Sequence, residues 1–417
     1  MMGLFNLPFH LEPDGSISLA GPVRAPNLGA ASGRWAQSII PQRLTPYAAL
    51  SGPGTNLTTG YTVYARRSPP IKQSEGRVLG FRVVLENWNT AATMNVTLAK
   101  AATQVAQANT SGTGNGTPVN ITWSGAAGVD VPVGAVLPGG ALAGDDNPGR
   151  SISDYVALPD VARTDSGEYA LFDFRFLVGT SFYFGQRPAA QPTGVGPIEF
   201  RDQFAPVDHV TSWTADAISD NSYKCVPQIW IIWYVTKSVI VADLYGDSNT
   251  LGATTVGGAR SIPALALTSL GIHCNRIAHG TQLFPSTSRV IQAVAGTVVA
   301  NGKIAVLRCA SEVNDGANAL LSWRWFLDAY EKLRSQGKLV LVMGPLPYDS
   351  IYVEQLCDLL DESGIPWFNQ IPYLGTNFRT WKAGFSGDGF HANDVASDFT
   401  APYFAAWAKT QMLSVGF

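Results

Sequence analysis

The sequence predicts two parts of different architecture: an all-β sandwich or jelly roll over residues 1–237, then an α/β part over 238–417 with a parallel sheet covered by helices on both faces. Three observations carry that expectation. The chain has 417 residues, more than an ordinary single domain and enough for two cores. Its first part holds short segments rich in β-branched and aromatic residues, broken by stretches dense in turn formers. Its second part alternates apolar strand candidates with segments of helical period.

The first 50 residues hold scattered Pro and Gly without a period, which suggests an extended arm packed on the domain or on a neighbouring subunit. Strands are expected at Gly80–Glu86, Thr93–Leu98, Tyr169–Val178 and Pro227–Val235. In the third of these, Phe172, Phe174 and Phe176 alternate with Asp173 and Arg175, the pattern of an antiparallel sheet with one exposed face. Residues 109–117 and 138–149 are rich in Gly, Asn, Asp and Pro and read as long surface loops. Beyond 238, strands are expected at 239–245, 271–277, 303–309, 338–344 and 365–371. The periodic segment Ala317–Arg334 reads as a helix that stops at Gly337. In a parallel sheet ligands bind at the carboxyl ends of the strands, where Ser248 and Asn314 would emerge.

Charged residues make up 14% of the chain against about 25% in typical soluble proteins, and with 42 Gly and 26 Pro this predicts many turns and a near-neutral surface. A net charge of −3 and the lack of a Lys/Arg run argue against nucleic acid and anionic membranes as partners. The apolar run Ile229–Val235 falls far short of the ~20 residues a membrane helix needs. The N-terminus lacks the basic start and apolar core of a signal peptide, so the chain is expected to be extracellular or virion-associated, either with a signal already removed or exported another way such as assembly into a particle. Cys225, Cys274, Cys309 and Cys357 are widely separated and the five histidines form no His-x-x-x-His pair, so no metal, cofactor or disulfide framework is expected.

Two short motifs carry the chemistry. Gly246-Asp247-Ser248-Asn249 follows the apolar run 239–245, and Asp388-Gly389-Phe390-His391 lies near the C-terminus. A serine at the end of a buried strand, an imidazole able to take its proton and a carboxylate able to orient that imidazole are what nucleophilic acyl transfer requires. His273 and His279 are the other candidates for the base; His273, inside an expected strand, reads rather as a core or near-core residue, and pocket lining is one option for His279, which precedes Gly280. The absence of a Gly-x-Ser-x-Gly elbow disfavours the ordinary α/β-hydrolase fold.

Residues 238–417 resemble the SGNH, or GDSL, esterase/lipase superfamily, and the resemblance rests on four blocks. It implies a flavodoxin-like three-layer α/β/α domain. Ser248 matches the nucleophile, with His391 as base and Asp388 as its orienting acid. The backbone N–H groups of Ser248 and Gly280 and the side-chain amide of Asn314 match the oxyanion donors. Gly280 stands five positions after Asn275, in a block where Ile277 replaces a frequent Gly, and Glu312 replaces the Gly that usually stands two residues before the third-block Asn. The implied activity is hydrolysis of short-chain acyl esters, foremost O-acetyl groups on a carbohydrate. The alternatives are a general aryl or alkyl esterase and a degenerate, structural virion protein. Trp323, Trp325, Trp367 and Trp381 supply aromatic faces suited to sugar rings, although burial is a tryptophan's first use. The β part would bind polymer or anchor the assembly, and self-association through it is a further expectation.

Overall fold

The computed structural model describes residues 9–11, 17–19, 35–43, 56–57, 59–67, 69, 71, 76–87, 93–104, 117–136, 146–147, 149–158, 171–179, 182–183, 185–186, 199–205, 208–213, 224–225, 229–252, 255, 260–278, 284–309 and 319–416. The element that organises them is a single 17-residue strand, Ile229–Tyr245. Its first stretch is apolar at almost every position and has sheet neighbours on both sides: Val78–Asn87 and Ala36–Arg43, both antiparallel. Its last stretch pairs parallel with His273–Arg276 on one side and Ile304–Arg308 on the other. The expected boundary at residue 237 therefore falls inside one strand, and the antiparallel and parallel parts share a nine-stranded sheet.

Within the first 50 residues, expected to form an extended arm, Ala36–Arg43 is a strand of the central sheet. Among the described residues its strand partner is Ile229–Tyr245 alone. Pro41, which cannot donate to a ladder, is compatible with such an edge position. A separate antiparallel sheet runs in the order Glu199–Ala205, Thr62–Arg67, Leu171–Val178, Met94–Gln104, Val119–Ile121, with Val129–Val131 also paired to Met94–Gln104. It faces the central sheet across one core in which Phe81 meets Phe174 and Phe172 meets Trp233, each at 5.1 Å between ring centroids. Such edge-on and tilted aromatic pairs add to the burial of large apolar area that holds the two sheets together.

The other face of Leu171–Val178 is not exposed, contrary to its alternating pattern. Asp173 and Arg175 are completely buried. Their ion pair at 2.9 Å is covered by residues 208–213, with Arg175 donating to the His209 carbonyl and stacking on the Trp213 ring at 4.1 Å. Charge alternation thus marks a second buried layer here, because an irregular segment folds over a paired guanidinium and carboxylate. The loops 109–117 and 138–149 lie mostly outside the described residues.

The parallel part takes the strand order His273–Arg276, Ile229–Tyr245, Ile304–Arg308, Leu339–Met343, Trp367–Phe368. In chain order this is 2-1-3-4-5, the doubly wound arrangement whose switch point lies between strands 1 and 3. One face is covered by α3 (Phe284–Val294), α4 (Ala319–Ser335) and α5 (Ile351–Ser363). The other is covered by α2 (Ile262–Ser269), the short α6 (Ile371–Leu374) and α7 (Asp394–Ser414), giving three layers. The fold expected for this part is the fold found. Helix α4 also starts and ends close to its expected limits, with Gly337 in the left-handed region at φ +70° just beyond it.

A buried network fixes the middle of the sheet. Asp243 accepts from Lys338 Nζ and from Asn275 Nδ2, each at 2.7 Å, and Lys338 also donates to the carbonyls of Ala300 and Gly302. Burial pushes the Asp243 carboxyl up, against the pull of Lys338 and the amide donors. Cys309 and Cys357 are buried, and Cys274 is partly so. No helix among the described residues is long and apolar enough to cross a membrane.

Candidate active site

The carboxyl end of Ile229–Tyr245 turns sharply into α1, the short helix Ser248–Leu251. Gly246 permits the turn: its φ is +153°, and a Cβ there would come within 2.2 Å of the Thr250 hydroxyl. Asp247 caps the helix by accepting the Asn249 N–H at 3.0 Å, and the same Oδ1 takes the Arg308 guanidinium at 2.7 Å. Both side chains of that pair are almost fully buried. Ser248, half-buried and first in the helix, is thereby set at the sheet's switch point, and among the described residues its N–H donates to no acceptor.

The partner groups come from the loop before α7. Asp388 uses both carboxylate oxygens. Oδ1 accepts the backbone N–H groups of Phe390 (2.8 Å) and His391 (2.9 Å), closing a turn in which Gly389 has φ +78°. Oδ2 meets His391 Nδ1 at 2.6 Å. His391 Nε2 lies 2.8 Å from Ser248 Oγ. An ionised carboxylate can only accept, so Nδ1 carries the proton and Nε2 is the acceptor facing the serine hydroxyl. Burial pushes the Asp388 carboxyl up, but the hydrogen bonds from the His391 ring and from the N–H groups of Phe390 and His391 outweigh it and hold the pKa at about 2. The carboxylate is therefore charged at any pH at which an imidazole can be neutral.

Further contacts hold this loop. Trp381 Nε1 donates to the Gly389 carbonyl at 2.9 Å. Asn393 caps α7 by accepting from Ala396 N–H and also donates to the Gly384 carbonyl at 2.8 Å. Asn249 donates to the Phe390 carbonyl at 3.2 Å and accepts from Ala392 N–H at 3.4 Å. Phe390 is 39% exposed, and its ring lies 5.8 Å from that of Tyr348, which follows the strand Leu339–Met343.

Of the residues singled out from sequence, Ser248, His391 and Asp388 meet in one hydrogen-bonded line. Gly280, Asn314, His279 and Glu312 lie outside the described residues. The Asn275 amide donates to Asp243 and to the Val299 carbonyl at 2.9 Å. His273 sits at the amino end of its strand, opposite the end from which Ser248 emerges. Burial drives its pKa down to about 4, and its Nε2 faces the Pro41 carbonyl at 3.4 Å, so it is the expected packed histidine. Trp323 stacks on Phe326 within α4 and Trp367 bonds Asp361, so of the four tryptophans Trp381 is the one tied to the histidine loop. Arg308 was missed from sequence, although a lone charge ending the apolar run 304–307 was its signal.

No protein-family model matches the chain, and no curated protein does. Among solved structures it is similar to a member of the lipolytic protein G-D-S-L family from Veillonella parvula, at 19% identity over 41% of this chain and 99% of that one, with a TM-score of 0.33. It is similar also to a GDSL-like lipase from Bacteroides thetaiotaomicron, at 13% identity over 41% of this chain and 88% of that one, TM-score 0.33. A salicylyl-acyltransferase from a tetracycline biosynthetic pathway aligns over 85% of this chain and 82% of its own, at 12% identity and a TM-score of 0.30. At that level of likeness the reading of the site rests on its own geometry.

Proposed function

We propose that this chain is a serine esterase of the SGNH type that hydrolyses short-chain acyl esters. The observation that carries the reading is the continuous line Ser248 Oγ, His391 Nε2, His391 Nδ1, Asp388 Oδ2, with steps of 2.8 and 2.6 Å. In the first half-reaction Ser248 Oγ adds to the ester carbonyl as His391 Nε2 takes its proton. Collapse of the tetrahedral intermediate breaks the bond to the alcohol, which leaves with the proton from Nε2. Water then gives a proton to Nε2 and its oxygen to the acyl carbon. The Ser248 ester bond breaks, the acid departs, and the proton returns to Oγ. Asp388 keeps the imidazole in the productive tautomer and stabilises the imidazolium. The oxyanion falls to the Ser248 N–H, with Gly280 N–H and the Asn314 amide completing the cradle by their place in the sequence.

The finer reading is an O-acetyl ester on a carbohydrate. It draws on the Tyr348–Phe390 pair, whose exposed ring immediately precedes His391, the group that must protonate the leaving alcohol. A ring-bearing alcohol would find an apolar face there.

Hydrolysis of p-nitrophenyl acetate is expected in the wild type and should fall by about 10⁴-fold or more in Ser248→Ala. Unchanged hydrolysis in that variant removes Ser248 from the mechanism. Acetate release from an acetylated polysaccharide, measured beside small aryl esters, then tests the substrate: a preference for the aryl esters favours the general esterase.

A further inference from the structure

Asn249 touches the histidine loop at two points that belong to the two peptide groups of a single residue. Its Nδ2 donates to the Phe390 carbonyl, part of the peptide entering His391. Its Oδ1 accepts from the Ala392 N–H, part of the peptide leaving His391. The donor and the acceptor on the loop together dictate which way the amide faces. Fixing both peptide planes fixes φ and ψ of His391, and so the direction in which its side chain leaves the backbone.

The same residue follows Ser248 in the chain. Its own N–H is held by Asp247 Oδ1, which is in turn paired with buried Arg308. The Asp388 turn orients the imidazole within its own loop but contains nothing that refers it to the serine. We infer that Asn249 is the positioning residue that sets the distance from His391 Nε2 to Ser248 Oγ, by clamping the histidine turn to the nucleophile helix. This rests on the esterase reading above. Asn249 touches no reacting atom; it acts through His391.

The test is Asn249→Leu, close in volume and unable to form either bond. On p-nitrophenyl acetate kcat should fall by about 10²-fold, as expected for a nucleophile and base set slightly out of reach, while KM changes less than about twofold. Inactivation by a fluorophosphonate, which reports serine reactivity without substrate recognition, should slow in parallel. The downfield proton of His391 Nδ1 should persist, because the Asp388 turn is untouched. Asn249→Ser, with no added bulk, carries the same expectation if the leucine variant fails to fold. Wild-type kcat and inactivation rates in either folded variant overturn the inference, as does a rise in KM at unchanged kcat. If Ser248→Ala retains hydrolysis, the esterase reading fails first. If Ser248→Ala is inert while the Asn249 variants are fully active, only the role of Asn249 fails.

Discussion

The two sides of the proposed active site are built in opposite ways. The nucleophile side grows out of the sheet: a strand buried on both faces, a turn that only Gly246 fits, and a buried ion pair joining Asp247 to the end of the neighbouring strand. The acid–base side is an exposed loop whose aspartate–histidine geometry comes from short-range hydrogen bonds: the N–H groups of Phe390 and His391 to Asp388, and Trp381 to the Gly389 carbonyl. Tertiary structure thus makes the serine, while four consecutive residues make the aspartate–histidine pair. The difference teaches that the first side should fail through stability and the second through chemistry.

The sharpest way to probe the second side is Asp388→Asn. The amide oxygen can still accept from the Phe390 and His391 N–H groups, so the turn survives. Its NH₂, however, faces Nδ1 and demands the other tautomer, placing a proton on Nε2 where the serine needs an acceptor. A loss of about 10⁴-fold in kcat is expected in a variant that still folds. A loss smaller than tenfold would mean that the carboxylate does not set the tautomer.

Breaking the first side should read out differently. Arg308→Met removes one partner of a buried pair and takes from Asp247 the guanidinium it meets beneath the nucleophile helix, which should cost about 3–5 kcal/mol of stability by urea unfolding. An unchanged unfolding midpoint would show that the pair is not what anchors the turn.

The smallest expected effect concerns pH. The native Asp388 pKa is depressed to about 2, below the usual carboxylate value of about 3.9. Its contribution to stability is therefore fully present above the unfolded value and is lost as pH falls from about 4 towards 2. The urea-midpoint difference between wild type and Asp388→Asn should shrink across that window. A difference that grows on acidification would reverse the sign of the linkage.

Much of this was readable from residues in sequence. Runs of β-branched residues gave four of the five parallel strands to within a few residues, and periodicity gave α4. Asp388-Gly389-Phe390-His391 was readable because its hydrogen bonds span three residues, a range over which sequence spacing is geometry. The union of Pro227–Val235 with 239–245 into one strand was not readable. Thr236, Lys237 and Ser238 look like a linker, yet they are the exposed turn-over between two sets of neighbours on one strand. The strand Ala36–Arg43 was missed for a related reason: an edge strand with a proline carries little pattern until its partner, about 190 residues away, is known. Asp173 and Arg175 misled because alternation reports two different faces, not whether the second is wet.

By itself, then, the chain determined everything that acts over a few residues: helix periods, the glycine turn before Ser248, the carboxylate that orients His391. Only the tertiary structure decided which distant groups would meet: Arg308 with Asp247, Asn249 with the backbone around His391, and Ser248 with an imidazole 143 residues further on. The physical reason is that local hydrogen bonds are fixed by covalent spacing, whereas long-range ones form only where packing of the sheet and helices has already offset the entropy of bringing their ends together.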